Sequence, residues 1–301
     1  MEGIKGSSEV KFFSYKDILN CKITRFSHSN RRQVLDFCYL RSSKRALPMY
    51  FILDLGNTNK KMAVLPAGKL RPEAFSGIDQ TIESFPEISL QAVQEFTRRY
   101  PYIEACIISS VIPFPASISA WIRERFRYIE FDHNTALPVT NRYHSPGTLG
   151  KDRLAAAVAG ASVYPRQHVL VINAGTAITY DIVTSGGEYI GGAISPGMQM
   201  RFRALHTFTK QLPLLTYTEI DFLTGTDTDK SVLSGVINGM TAEMEGMIAF
   251  YRKEYPEIRI ILSGGDLNYF VNRLKISIFA LPNIVIYGLQ QILAFNDKNP
   301  L

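Results

Sequence analysis

Twice along this 301-residue chain, a short apolar run stops at a glycine-bearing turn and a second apolar run follows at once. The first copy is Tyr50–Leu53, the turn Asp54–Thr58, then Lys61–Leu65. The second is His168–Asn173, the turn Ala174-Gly175-Thr176, then Ile178–Val183. Runs this short, bounded by turn residues, read as buried strands joined in hairpins. Helical spacing follows each hairpin, so the chain is expected to hold two α/β halves, each burying its sheet against helices, with a ligand cleft between them. No residue-level repeat of 20–50 positions accompanies the pattern, which excludes a solenoid.

In the first half the expected elements continue with a helix at Leu90–Tyr100, a strand at Ala105–Val111, a helix at Pro115–Phe126, a strand at Tyr128–Phe131 and an alanine-rich helix at Asp152–Val163. This ββ(β)αβα order is that of a ribonuclease-H-like unit. The second half adds a strand at Tyr189–Ile194, helices at Gly197–Phe208 and Ser231–Tyr255, a strand at Arg259–Leu262 and a helix at Gly288–Asn296. The expected domains are residues 49–166 and 167–301. Residues 1–48 lack sustained periodicity and read as an extension, with Met49 as a candidate functional start.

The net charge of +6 is no polyanion-binding signal, because residues 1–48 hold ten basic and four acidic residues and account for all of it. The remainder is balanced, so no nucleic-acid partner is expected. No apolar run of 18 residues exists, and no membrane partner is expected. The three cysteines show no metal or disulfide spacing, and Cys106 lies in an apolar strand; a reducing cytoplasm fits this usage. Trp121, in a helix, reads as core. The histidines are dispersed and suggest no catalysis.

Four segments carry candidate chemistry. In Asp54-Leu55-Gly56-Asn57-Thr58-Asn59-Lys60-Lys61 a strand delivers a carboxylate, then a turn whose N–H, amide and hydroxyl donors suit phosphate oxygens. Asp54 repels phosphate directly but can hold a hydrated Mg²⁺ that phosphates share, and Lys61 adds positive charge. A plain hairpin turn accounts for these residues equally well. Asn173–Asp181 repeats the arrangement in the second half, with Thr176 in its turn, and the pair could clamp a triphosphate from both sides. Ser263-Gly264-Gly265-Asp266 ends a strand and lets a flat ring approach the backbone, or simply turns the chain. In Tyr143–Arg153, Asp152 opens the alanine-rich helix. Locally, a helix-capping or dipole role for Asp152 outweighs that of a general base beside the Arg153 guanidinium. Neither a Walker loop nor a Gly-x-Gly-x-x-Gly fingerprint is present.

As an ordered set, DLGNT, a tyrosine nine positions before the Asp of LGKDR, AGTAITYD, GGAISPGMQMRFRAL with FTKQLP, and SGGD resemble the type III pantothenate kinase family from Met49 onward. The resemblance implies a duplicated ribonuclease-H-like, actin-like ATPase fold and ATP-dependent phosphorylation of pantothenate, the first committed step towards coenzyme A. It implies Mg²⁺, a monovalent cation (potassium or ammonium), and a homodimer with its active site at the interface. By position it makes Asp54 to Lys61 the first ATP phosphate loop, Thr176 an ATP contact and Asp152 the proton acceptor. Tyr143, Gly150, Lys151 and Arg153 would line the pantothenate pocket, with Thr209 reaching it from the partner subunit. The family's cation-binding Asp is replaced here by Asn173, which should weaken that site. Two other readings are a non-catalytic binding protein of the same family and a same-fold kinase for another small alcohol.

Overall fold

The computed structural model describes residues 48–68 and 81–298; the extension read at residues 1–48 lies, except for Pro48, outside the described residues. One compact unit begins at Pro48. Its first sheet is built from β1 (Met49–Leu55), β2 (Lys60–Pro66), β3 (Ile82–Phe85), β4 (Ile103–Ser110) and β5 (Arg127–Glu130), in the order β3-β2-β1-β4-β5. β1, β2 and β3 form an antiparallel meander, and β4 and β5 continue parallel to β1. The second sheet holds β6 (Thr140–Asn141), β7 (Val169–Ala174), β8 (Ala177–Val183), β9 (Glu188–Pro196), β10 (Arg259–Ser263) and β11 (Phe279–Ala280). Its order β9-β8-β7-β10-β11 repeats the first sheet strand for strand, in sense as well as sequence, and β6 adds an edge beside β9. The expected two ribonuclease-H-like mixed sheets are therefore present.

Alternation along β1 sends its side chains into two different cores. Phe51, Leu53 and Leu55 face an outer core with α1 (Leu90–Arg98) and α2 (Ala116–Arg123), through Val93, Phe96, Ile118 and Ile122. Cys106 is buried there, and burial pushes its thiol well above the ordinary range. Trp121 is only partly buried at the margin of this core, edge-on to Phe126. Tyr50 and Ile52 face the opposite way, into an inner core shared with Val169 and Val171 of β7. Between the two sheets run α3 (Lys151–Val163) and α7 (Ile284–Lys298). The outer face of the second sheet is covered by α4 (Met198–Phe208) and the long α5 (Thr228–Glu254), through Phe202, Ile237, Met240 and Met244. A short α6 (Leu267–Phe270) follows β10.

The inner helices decide where the site forms. Nine of the thirteen residues of α3 are buried, so it is apolar all round rather than amphipathic. Its alanines let α7 approach until a Cβ on Gly288 would lie 1.8 Å from the Ala155 carbonyl oxygen. The sequence reading started the last helix at that glycine. The helix begins four residues earlier, at Ile284, because tertiary packing overrides the strand-like Ile284-Val285-Ile286 run. Strands β6 and β11, two residues each, are too short to leave a pattern.

Candidate active site

The turn after β1 and the turn after β7 meet: Thr58 Oγ1 lies 3.2 Å from Thr176 Oγ1, 118 positions away in sequence. Each turn is closed by its own glycine, Gly56 N–H donating to the Asn59 carbonyl and Gly175 N–H to that of Ala177, both at 3.0 Å. Around this contact is a cavity of about 490 Å³, lined by both turns, by Asp152 at the start of α3, by Ser263 to Gly265, and by Pro282 to Ile286 ahead of and within α7. Gly264 has φ +101°, and a Cβ there would sit 2.0 Å from the Ala174 carbonyl oxygen. Only glycine lets the end of β10 fold this closely over the end of β7.

Register gives the two halves equivalent positions. Asp54 on β1 stands opposite Lys61 on β2 and beside Ser109 on β4. Asn173 on β7 stands opposite Thr179 on β8 and beside Ser263 on β10. One half therefore offers a carboxylate where the other offers a neutral amide. Burial pushes the Asp54 carboxyl up to about 7; Lys61 opposes the rise and Asp152, in the same cavity, adds to it. Lys61 Nζ donates to Asn283 Oδ1 at 2.8 Å.

Asp152 sits in the first turn of α3, whose N-cap is Gly150 with no side-chain cap hydrogen bond. Of the two local roles, the side-chain cap is not formed, while the first-turn carboxylate does complement the helix dipole. Its Oδ1 occupies space that a Cβ on Gly150 would invade, at 2.6 Å. Lys151 Nζ donates to the Ser110 carbonyl at 3.2 Å, fastening the start of α3 to the end of β4.

The structure groups the expected substrate residues unevenly. Arg153 is buried, and its Nε and Nη2 lie 2.9 and 2.7 Å from Asp181 Oδ1. Tyr189 Oη donates to the same oxygen at 2.8 Å. The Tyr143 ring stands 5.9 Å from the guanidinium carbon and packs on Gly191, whose φ is +126°. Burial lifts the Asp181 carboxyl, while Arg153 and Tyr189 oppose the lift. Thr209 lies apart: it is the C-cap of α4, exposed, its Oγ1 donating to the Leu205 carbonyl at 2.7 Å, and it does not line the cavity. Leu55 is packed in the outer core, and neither it nor Lys60 lines the cavity.

Sequence alone gives no role to Ser109, to the Ser263 side chain or to Asn283, and does not pair Asp181 with Arg153. Asp181 had a signal, a lone charge within an apolar strand. Asn283 had none beyond following a proline. Among the described residues no three His, Cys, Asp or Glu gather into a metal cluster, and no helix is long and apolar enough to cross a membrane.

Two turns with N–H, amide and hydroxyl donors close on a cavity with a carboxylate pair and one lysine, at the meeting point of duplicated sheets, a donor set that suits phosphoryl groups. Residues 50–250 match the profile described as Type III pantothenate kinase. The type III pantothenate kinase of Phocaeicola vulgatus is 42% identical over 251 residues, 83% of this chain and 100% of that protein. That of Christiangramia forsetii is 39% identical over 248 residues, covering 82% of this chain and 99% of its own. The chain belongs to the type III pantothenate kinase family. A Campylobacter jejuni protein whose structure is described as a Baf family transcriptional activator superposes with TM-score 0.50 at 16% identity, over 82% of this chain and 99% of its own; that likeness concerns the fold alone.

Proposed function

We infer that this chain transfers the γ-phosphoryl group of ATP to the primary hydroxyl of pantothenate, the first committed step towards coenzyme A, in the cytoplasm. The observation that carries the reading is the Thr58–Thr176 contact, which sets both phosphate-suited turns over one cavity with Asp54 and Asp152. The turn Asp54 to Lys61 holds the phosphates from one side and Thr176 from the other. Asp152 accepts the hydroxyl proton as that oxygen bonds to the γ-phosphorus and the bond to ADP breaks. Tyr143, Gly150, Lys151 and Arg153 shape the pantothenate side. Residues 49–166 and 167–301 act as the two halves that close over the substrates, which excludes water.

The residues present fit a divalent cation: a carboxylate raised by burial and by a second carboxylate is relieved by positive charge. Asp54 would hold Mg²⁺ through water, and the ion supplies charge neutralisation to the triphosphate. A monovalent cation also has suitable neutral oxygens. Asn173 offers its amide, and beside it the Ser263 hydroxyl is buried with no hydrogen-bond partner among the described residues. Lacking the carboxylate, this site should hold potassium or ammonium weakly. Raising potassium against a sodium background should therefore lower the KM for ATP only shallowly, and Asn173→Asp should steepen the response. A steep response in the parent that Asp does not improve would show the amide to be a full substitute.

A homodimer is the second part of the reading, with Thr209 of one subunit reaching the other's substrate. Phe208 and Phe250 are 87% and 72% exposed on α4 and α5, and a groove of about 950 Å³ opens between Arg201 and Leu205 of α4 and Val232 and Val236 of α5. The deciding experiment is ADP release with ATP, Mg²⁺ and ammonium across a panel of small alcohols. Pantothenate should be the preferred acceptor. Turnover of another alcohol but never pantothenate would make the chain a same-fold kinase of different specificity, and nucleotide binding without turnover would make it a binding protein.

A further inference from the structure

Asn283 lies beyond residues 50–250 of the family match and joins the cavity from a segment that carries no phosphate turn. It does two separate things. Its backbone takes φ +56°, in the left-handed region that asparagine and glycine tolerate best. From there its carbonyl accepts the Ile286 N–H at 2.9 Å, which opens α7. Its side-chain Oδ1 accepts from Lys61 Nζ at 2.8 Å, across 222 positions of sequence.

We propose that Asn283 is a positioning residue for phosphate binding: it holds the Lys61 ammonium in the cavity, away from its cross-strand neighbour Asp54, so that the charge stays available to the nucleotide. Lys61 and Asp54 are directly opposed in the β1–β2 ladder. An ammonium on a flexible four-carbon stem, left to itself, moves to the nearest carboxylate. There it is neutralised and lost to the phosphates. An amide oxygen is the right kind of tether because it accepts one N–H of the ammonium and leaves its charge and two further donors unspent. An Asp at 283 would satisfy the same geometry but cancel the charge.

The inference rests on Lys61 being a phosphate-binding cation, so the experiment separates the two ideas. Asn283→Gly keeps the left-handed backbone and removes the side-chain acceptor. Loss of this charge-assisted hydrogen bond should raise the Kd for ATP, measured by calorimetry, roughly tenfold. Binding of adenosine, which has no phosphate, and the KM for pantothenate should be unchanged, and kcat at saturating ATP should fall much less than kcat/KM for ATP. Lys61→Ala should weaken ATP to a similar degree, and adding Asn283→Gly to it should cost nothing more, because the tether then has nothing to hold. If Lys61→Ala binds ATP normally, the reading of Lys61 fails and the inference with it. If Lys61→Ala weakens ATP but Asn283→Gly does not, or if the two effects add in full, Asn283 does not act through Lys61 and the inference alone is overturned.

Discussion

Asp152→Asn should lower kcat by about 10²–10⁴-fold, the span that a positioned general base contributes, while ATP binding and the melting temperature stay near those of the parent. The amide has the shape of the carboxylate but no basic oxygen to receive the hydroxyl proton. The fold should tolerate it because α3 takes no side-chain cap from this residue. What the helix loses is one negative charge in its first turn, worth about 0.3–1 kcal/mol against the helix dipole. Part of that is returned, since Asp152 and Asp54 repel each other within one cavity. Steady-state ADP release and a thermal melt on the same preparation separate the outcomes. A variant with kcat within tenfold of the parent would reduce Asp152 to an electrostatic role and move the base elsewhere.

The geometry that makes Asp152 a candidate base was only half legible beforehand. The duplicated order could be read because β1 and β7 are short apolar runs closed by turn residues, and such strands announce themselves locally. So could the two turns, since Gly56 and Gly175 break the pattern at matched places. What local sequence cannot express is which distant groups converge. Local sequence makes Asp152 a helix cap, whereas α3 starts at Lys151 with Gly150 as its N-cap, and Asp152 lines the cavity. The resemblance makes Arg153 a substrate ligand; its guanidinium is also held by Asp181, 28 residues away, a lone charge in an apolar strand whose partner local sequence cannot name. Asn283 is silent for a related reason: the sequence assigns its segment no element, and its contact with Lys61 exists only because α7 packs between the sheets.

The Arg153–Asp181 pair should carry the largest stability effect of any single site here. Arg153 is 6% exposed and Asp181 is fully buried, so neither charge has water to fall back on. Removing Asp181 as Ala strands a guanidinium in the inner part of the protein, a change that typically costs about 3–5 kcal/mol. At about 2–4 °C per kcal/mol for a body of this size, the melting temperature should fall by roughly 6–20 °C. The pair itself contributes far less than that, because the desolvation of both charges offsets most of their attraction. Replacing both at once, Arg153→Met with Asp181→Leu, should therefore recover most of the lost stability. On the proposed role of Arg153 it should not recover activity, since the positive charge beside Tyr143 would be gone from the pantothenate side. Thermal melts of the single and double variants, paired with the KM for pantothenate, read the two effects apart. A double variant that melts like the parent and binds pantothenate normally would show Arg153 to be structural, whereas one as unstable as Asp181→Ala would show that packing around Tyr143 and Tyr189, rather than the stranded charge, sets the cost.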